Sequence, residues 1–211
     1  MKQSQPRDLP DQLELPLKSG AEWWYWLGGR PSLDLVNTLR ERWNRKVETL
    51  VTPKDLEDWL VLTEVLSEPG ALPRPVVFAE AHRLREAIDA CVAAVLEGRE
   101  LDPAVVSVID KMLIYAGARP SLKIGTDGMP EMDERPAADS PRRALGTIAL
   151  DAAEMLGDPR QRARIRICAS ETCSARFYDR SPAGKRIWCS MSSCGNTAKA
   201  RRHRARQKEL A

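Results

Sequence analysis

The 211 residues are 43% hydrophobic and carry 33 Lys/Arg against 30 Asp/Glu, a formal net charge of +3, which fits a globular chain and excludes a disordered one. No stretch approaches the ~18–20 apolar residues that cross a bilayer. The opening MKQSQPRDLPDQLELPL has acids and prolines where a signal peptide keeps an unbroken apolar run. The expectation is a cytoplasmic protein with no membrane partner, in which residues 1–20 form a poorly ordered lead-in.

In chain order, WWYWLGG (residues 23–29) reads as a short extended segment and a turn. RPSLDLVNTLRERW follows with Leu35, Leu39 and Trp43 near one helical face. TPKDLEDWLVLTEVL predicts a helix with Thr52 as N-cap, Pro53 at the first position, Asp55 returning a capping bond, and Leu56, Trp59 and Leu60 as its buried stripe. In VVFAEAHRLREAIDACVAAVLEG, Val77, Ala81, Leu84, Ile88, Cys91 and Val95 recur at helical spacing, and Gly98 ends the pattern. Asp102-Pro103 starts another helix. ARPSLKIGTDGMPEMDERPAADSP breaks the periodicity and suits a small β-hairpin or an irregular excursion. Ser140-Pro141 restarts a helix that stops near Gly157. The fold class expected is mostly α (α+β): a helical domain of about five helices with minor β over residues 21–157, then a small zinc-binding β-hairpin/helix module over 158–211.

Charge changes at that boundary. From Arg160 to Ala211 there are 14 Lys/Arg against 3 Asp/Glu, a net +11; the preceding 159 residues hold 19 bases against 27 acids, a net −8. An acidic body carrying a basic module points to a polyanionic partner.

Cysteine divides in the same way. Cys91 falls on an apolar helical face and reads as a core residue. The other four, Cys168, Cys173, Cys189 and Cys194, are spaced C-x4-C-x15-C-x4-C, and in a reducing compartment they point to a metal rather than to disulfides. Zinc takes four thiolates in a tetrahedron, so the pairs must approach from two chain turns. ARFYD and KRIWC read as two strands and RSPAG as the turn that returns the second pair to the first. Phe177, Tyr178, Ile187 and Trp188 are too few to stabilise such a module alone, so structural Zn2+ is expected.

Cys194 then stands at the start of a basic helix, TAKARRHRARQKEL. Lys199, Arg202 and Arg206 share one face, and Arg201, Arg204 and Lys208 another about 100° away. With only Ala198 and Ala205 as apolar positions, little of this helix can pack on a core. Guanidinium groups on a rigid base suit phosphate oxygens, and arginine also reads guanine edges. His203 is either a fifth metal candidate or, within the arginine run, a phosphate or base contact. Asn196, Lys185 and Arg186 complete the candidate nucleic-acid surface.

RICASETCSARFYDRSPAGKRIWCSMSSCGNTAKARRHRARQ closely resembles the CGNR-type zinc finger of bacterial regulators, and WLGGRPSLDLVNT with LVTPKDLEDWL resembles the start of the ABATE domain that precedes it. The resemblance implies a stress-responsive transcriptional regulator that binds DNA through the finger and receives some input through the N-terminal domain. It places the zinc ligands on the four cysteines above and the name-giving motif on Cys194, Gly195, Asn196 and Thr197. Thr197 stands where the family has arginine, so one phosphate or base contact is missing.

Arg30, Asp34, Asn37 and Thr38 lie beside three tryptophans and a tyrosine. They have two readings: a small-molecule effector pocket, or caps and anchors for a loop around a tryptophan core. No enzyme constellation is present, because His82 and His203 have no nucleophile near them and a four-cysteine zinc site lacks an open position. The leading expectation is a non-enzymatic regulator binding duplex DNA, with the N-terminal domain as sensor or dimerisation module and a homodimer extending the small surface of one finger. The alternative is an RNA- or protein-binding adaptor using the same helix. Exposed aromatic stacking would favour RNA, and only Phe177, Tyr178 and Trp188 could supply it.

Overall fold

The computed structural model describes residues 9–70, 72–117, 121–133 and 138–209. Among them are seven α-helices and three antiparallel two-stranded sheets. No helix among the described residues is long and apolar enough to cross a membrane. The chain forms two compact units that divide at Gly157/Asp158 and again at Val51/Thr52. Residues up to Val51 fold with those from Asp158 onward, and Thr52–Gly157 form the other unit.

The Thr52–Gly157 unit is a helical bundle. Its helices are α2 (Pro53–Leu62), α3 (Pro75–Glu97), α4 (Pro103–Leu113) and α5 (Pro141–Gly157). The capping box of α2 is present, with Asp55 N donating to Thr52 and the Asp55 carboxylate accepting from Thr52 N at 2.8 Å. Leu56, Trp59 and Leu60 are buried as the spacing predicts. Along α3, Val77, Ala81, Leu84, Ile88 and Cys91 are buried and Val95 is half-buried; Gly98 closes the helix in the left-handed region at φ 65°. α3 packs on α4 and α5 around Ile109, Met112, Leu145, Ile148 and Met155. The excursion after α4 contains a hairpin of β3 (Ser121–Ile124) and β4 (Pro130–Asp133), as expected. Residues 118–120 and 134–137 of that excursion lie outside the described residues.

The other unit contains α1 (Pro31–Val36), β1 (Leu39–Arg40), β2 (Val47–Glu48), α6 (Pro159–Arg162), β5 (Ile165–Ile167), β6 (Arg176–Tyr178) and α7 (Asn196–Glu209). The helical reading of residues 30–43 is corrected. α1 stops at Val36, Thr38 Oγ1 turns back to donate to Leu35 O at 2.7 Å, and β1 begins at Leu39. Trp43 therefore lies in the β1–β2 turn and is 52% exposed rather than part of a buried stripe. The lead-in is corrected in part: residues 1–8 lie outside the described residues, but Leu9 is buried, and Arg45 Nη1 donates to Pro10 O at 2.6 Å.

Candidate metal centre and nucleic-acid interface

The metal site is built from two loops and a helical turn. β5 and β6 pair antiparallel, Ile165 with Tyr178 and Ile167 with Arg176, and Cys168 and Cys173 lie in the loop between them. This corrects the expected hairpin: β6 pairs with the strand before it, and KRIWC forms no strand. Asp179 supplies the reason. Its carboxylate accepts from Ser181 N and Arg186 N, both at 2.9 Å, and so takes backbone donors that a KRIWC strand would need. The returning segment is fixed instead by Ala169 N donating to Ile187 O at 2.8 Å, which brings Cys189 beside the first pair. A π-helical turn, Met191–Gly195, then carries Cys194 directly into α7.

The four Sγ atoms lie within 4.8 Å of one another. Cys189 Sγ is 3.8 Å from Cys173 Sγ and 3.7 Å from Cys194 Sγ. A zinc tetrahedron with Zn–S near 2.3 Å has an S···S edge of about 3.8 Å, whereas a disulfide would need about 2.05 Å. All four are free thiols, and three of them are buried. Hydrogen bonds from Cys173, Cys189 and Cys194 pull the Cys168 thiol far below its ordinary range, while the contact with Cys168 drives Cys173 and Cys189 upward. Four adjacent thiols cannot all ionise without a cation, and a divalent ion removes that limit. The donor set and its spacing fit structural Zn2+, held by these four cysteines.

The core beneath the cluster is not made by the module alone. Tyr25 is buried with Cys168, Ala175, Phe177, Cys189 and Cys194, and Leu27, Cys173 and Trp188 pack against them. Burial keeps the Tyr25 phenol neutral by pushing it well above its usual value, partly offset by Arg40, whose guanidinium lies 4.4 Å from the ring centroid. Sequence reasoning missed Tyr25 and Leu27; the aromatic run around them was legible, but its partner segment begins about 140 residues later.

The quartet proposed for an effector pocket attaches the N-terminal segment to the zinc module. Asn37 Nδ2 donates to Arg176 O at 2.9 Å and Asn37 Oδ1 accepts from Arg176 N at 2.8 Å, as a neighbouring strand would. Asp34 Oδ1 accepts from Gly28 N at 2.7 Å, and Gly28 O accepts from Tyr178 N at 2.7 Å. A Cβ on Gly28 would meet Asp34 N at 2.6 Å, so only glycine fits there. Arg30 donates to Gln161 and lies 5.5 Å from the Tyr178 ring centroid. Thr38 is buried against Leu35. These bonds are what the second of their two readings, anchors for a loop, calls for.

A cavity of about 400 Å³ does open in this unit, elsewhere. Its lining includes Tyr25, Leu27, three of the zinc ligands, residues of the β1–β2 turn, Ser193 and Thr197.

On α7, Lys199, Arg202, Arg204 and Arg206 are exposed. Arg201 is exposed too and pairs with Glu171 at 2.6 Å. Asn196 Nδ2 donates to Ser192 O at 3.3 Å, tying the helix start to the π-turn. The side chains of His203 and Lys208 lie outside those described. Lys185 is exposed, but Arg186 is not a free contact: its guanidinium lies 5.0 Å from the Phe177 ring centroid and donates to Cys189 O at 2.7 Å. Its role is to hold the loop that carries a zinc ligand. Phe177 is fully buried, and Tyr178 and Trp188 are partly buried.

Comparison with curated proteins finds none that matches this chain. The CGNR zinc finger model matches residues 164–207, the segment holding all four ligands and most of α7. A second model, ABATE, described as "Putative stress-induced transcription regulator", matches residues 29–159. That match spans more than half of the sequence, and the chain belongs to the ABATE family, with a CGNR zinc finger at its C-terminal end.

Proposed function

We propose that the protein is a cytoplasmic transcriptional regulator that binds duplex DNA through α7. One observation carries the reading: Cys194 is at once a zinc ligand and part of the turn that runs directly into a helix whose described cations face solvent. The metal thereby sets the helix direction before any partner arrives, and preorganised guanidinium groups lose less freedom on meeting phosphates. The buried or half-buried aromatics of the module favour a duplex over an unstacked RNA strand. The role is regulatory rather than enzymatic, since four thiolates leave zinc no open position. Residues 24–49 act as the mount for the module, through Tyr25, Leu27 and Asn37, and no effector is assigned to Arg30, Asp34, Asn37 and Thr38.

Selection of bound sequences from a random duplex pool at near-physiological salt, on protein of verified zinc content, tests this. An enriched site is the expected result, and a two-fold-symmetric one would report a homodimer. Salt-sensitive binding without enrichment would leave phosphate contact alone and favour the RNA or protein adaptor.

A further inference from the structure

The cavity beside the zinc cluster joins two elements that have so far been separate. Its lining includes Thr197, in the first turn of α7, and Arg40, Glu41, Asn44 and Arg45 of the β1–β2 turn. That turn, RERWNRK (residues 40–46), holds four cations and one acid in seven residues. The acid is neutralised within the turn, because Glu41 accepts from Arg45 Nε and Nη2, both at 2.7 Å. Asn44 and Lys46 are exposed. The turn is also held in place. Glu41 and Lys46 have φ of 49° and 52°, in the left-handed region that side chains rarely adopt. Arg42 N donates to Ser174 Oγ of the zinc module at 3.0 Å, and the Arg176 guanidinium lies 4.8 Å from the half-exposed Trp43 ring centroid.

We propose that this turn is a second nucleic-acid contact: the phosphodiester backbone flanking the groove that α7 reads runs past the turn, with the exposed Asn44, which lines the cavity, and the exposed Lys46, two residues further along the turn, at its phosphate oxygens. The inference rests on the reading of α7 as a duplex-binding helix. Charge decides the placement. Three thiolates of a four-cysteine site that is formally −2 with Zn2+ bound line the cavity, and Asp11 adds to them, so an anion is better met by the exposed residues of the turn than inside the cavity. Hydroxyls and amides are ordinary partners for phosphate and sugar oxygens, and the exposed Thr172, Thr197 and Asn44 place such groups in the cavity lining. A rigid basic turn beside the start of the helix would also supply the accessory contact that a single small module needs.

The test is an anisotropy titration of the zinc-loaded full chain against a labelled mixed-sequence duplex over a range of salt. Lys46→Gln combined with Asn44→Ala is expected to weaken binding about 3–10-fold and to reduce the salt slope by about 0.9 per lost phosphate contact. Lys46→Arg should retain both affinity and slope. Zinc content and the thermal midpoint, measured on each variant, check that the fold is intact. Wild-type affinity and slope in the double variant, while Arg202→Ala with Arg206→Ala loses binding, would overturn the inference and leave the α7 reading standing. No duplex binding by the wild type would remove the α7 reading and this one with it. Tighter binding of a single strand, lost in Trp43→Ala, would overturn the duplex assignment in favour of base stacking on Trp43.

Discussion

Asp179 is fully buried and yet ionised. Burial pushes its carboxyl upward, but the N–H of Arg186 and the hydroxyl and N–H of Ser181 outweigh it and hold the group at about 2. The value lies below the ~3.9 of an unfolded aspartate. Its stabilising contribution is therefore complete above about pH 4 and fades as pH falls toward 2. Asp179→Asn keeps one acceptor oxygen and turns an NH2 group toward a buried donor, which should cost ~1–3 kcal/mol. The expected result is a lower thermal midpoint at pH 7 and weaker zinc retention in a chelator competition, because Arg186 holds the backbone of Cys189. An unchanged midpoint would show that the loop does not depend on Asp179. Asn37 works similarly, since its amide satisfies both backbone groups of Arg176, and a hydrophobic residue there would leave both unpaired.

At the scale of elements, α7 has almost no apolar face with which to pack, so its position comes from its first turn. Cys194 in the π-turn, the backbone and side-chain bonds of Asn196 to that turn and the Arg201–Glu171 pair attach it. An exposed ion pair of that kind contributes ~0–1 kcal/mol, too little to orient a helix of 14 residues, and the metal must do most of it. Arg202→Ala with Arg206→Ala should then leave zinc content and helical signal unchanged while lowering the salt slope of DNA binding by about 1.8, two contacts at about 0.9 each. If six to eight bases of the module meet phosphates, the wild-type slope is about −5 to −7. Binding unaltered by the double substitution would take this helix out of the interface. β3 and β4 make a different kind of element. Leu122 pairs with Met132 and Ile124 with Pro130, so one face of that ribbon is apolar, and Leu122, Ile124 and Met132 are exposed on it.

For the whole molecule, the division of the chain sets what zinc loss will do. Because Tyr25 and Leu27 lie in the core under the thiolates, chelation or Cys189→Ser should unfold residues 24–49 together with 165–209 and spare the Thr52–Gly157 unit. Amide exchange on the treated chain checks this: Trp24, whose ring N–H donates to Thr49 O at 2.8 Å, should lose protection with the module, and Trp59 should keep it. Retained protection at 24–49 after metal removal would mean that this segment folds without the zinc cluster.

The sequence by itself determined what depends on near neighbours along the chain. The capping box at Thr52, the α3 stripe from Val77 to Cys91, the left-handed stop at Gly98, the cysteine spacing and the basic run after Cys194 each follow from residues a few positions apart, and the structure agrees at each. Where local signals competed, they misled: Leu35, Leu39 and Trp43 fit a helical period, but the chain turns at Asn37 and Thr38, whose side chains are drawn to Arg176 and Leu35 O. Only the tertiary structure decided that residues 9–51 fold with 158–209, that Tyr25 and Leu27 lie under the zinc cluster, and that Arg186 holds the loop of Cys189. The physical reason is one of range. A buried polar group must be paired and an apolar floor must be covered, but nothing in the local pattern says that the partner of Asn37 stands 139 positions further along the chain.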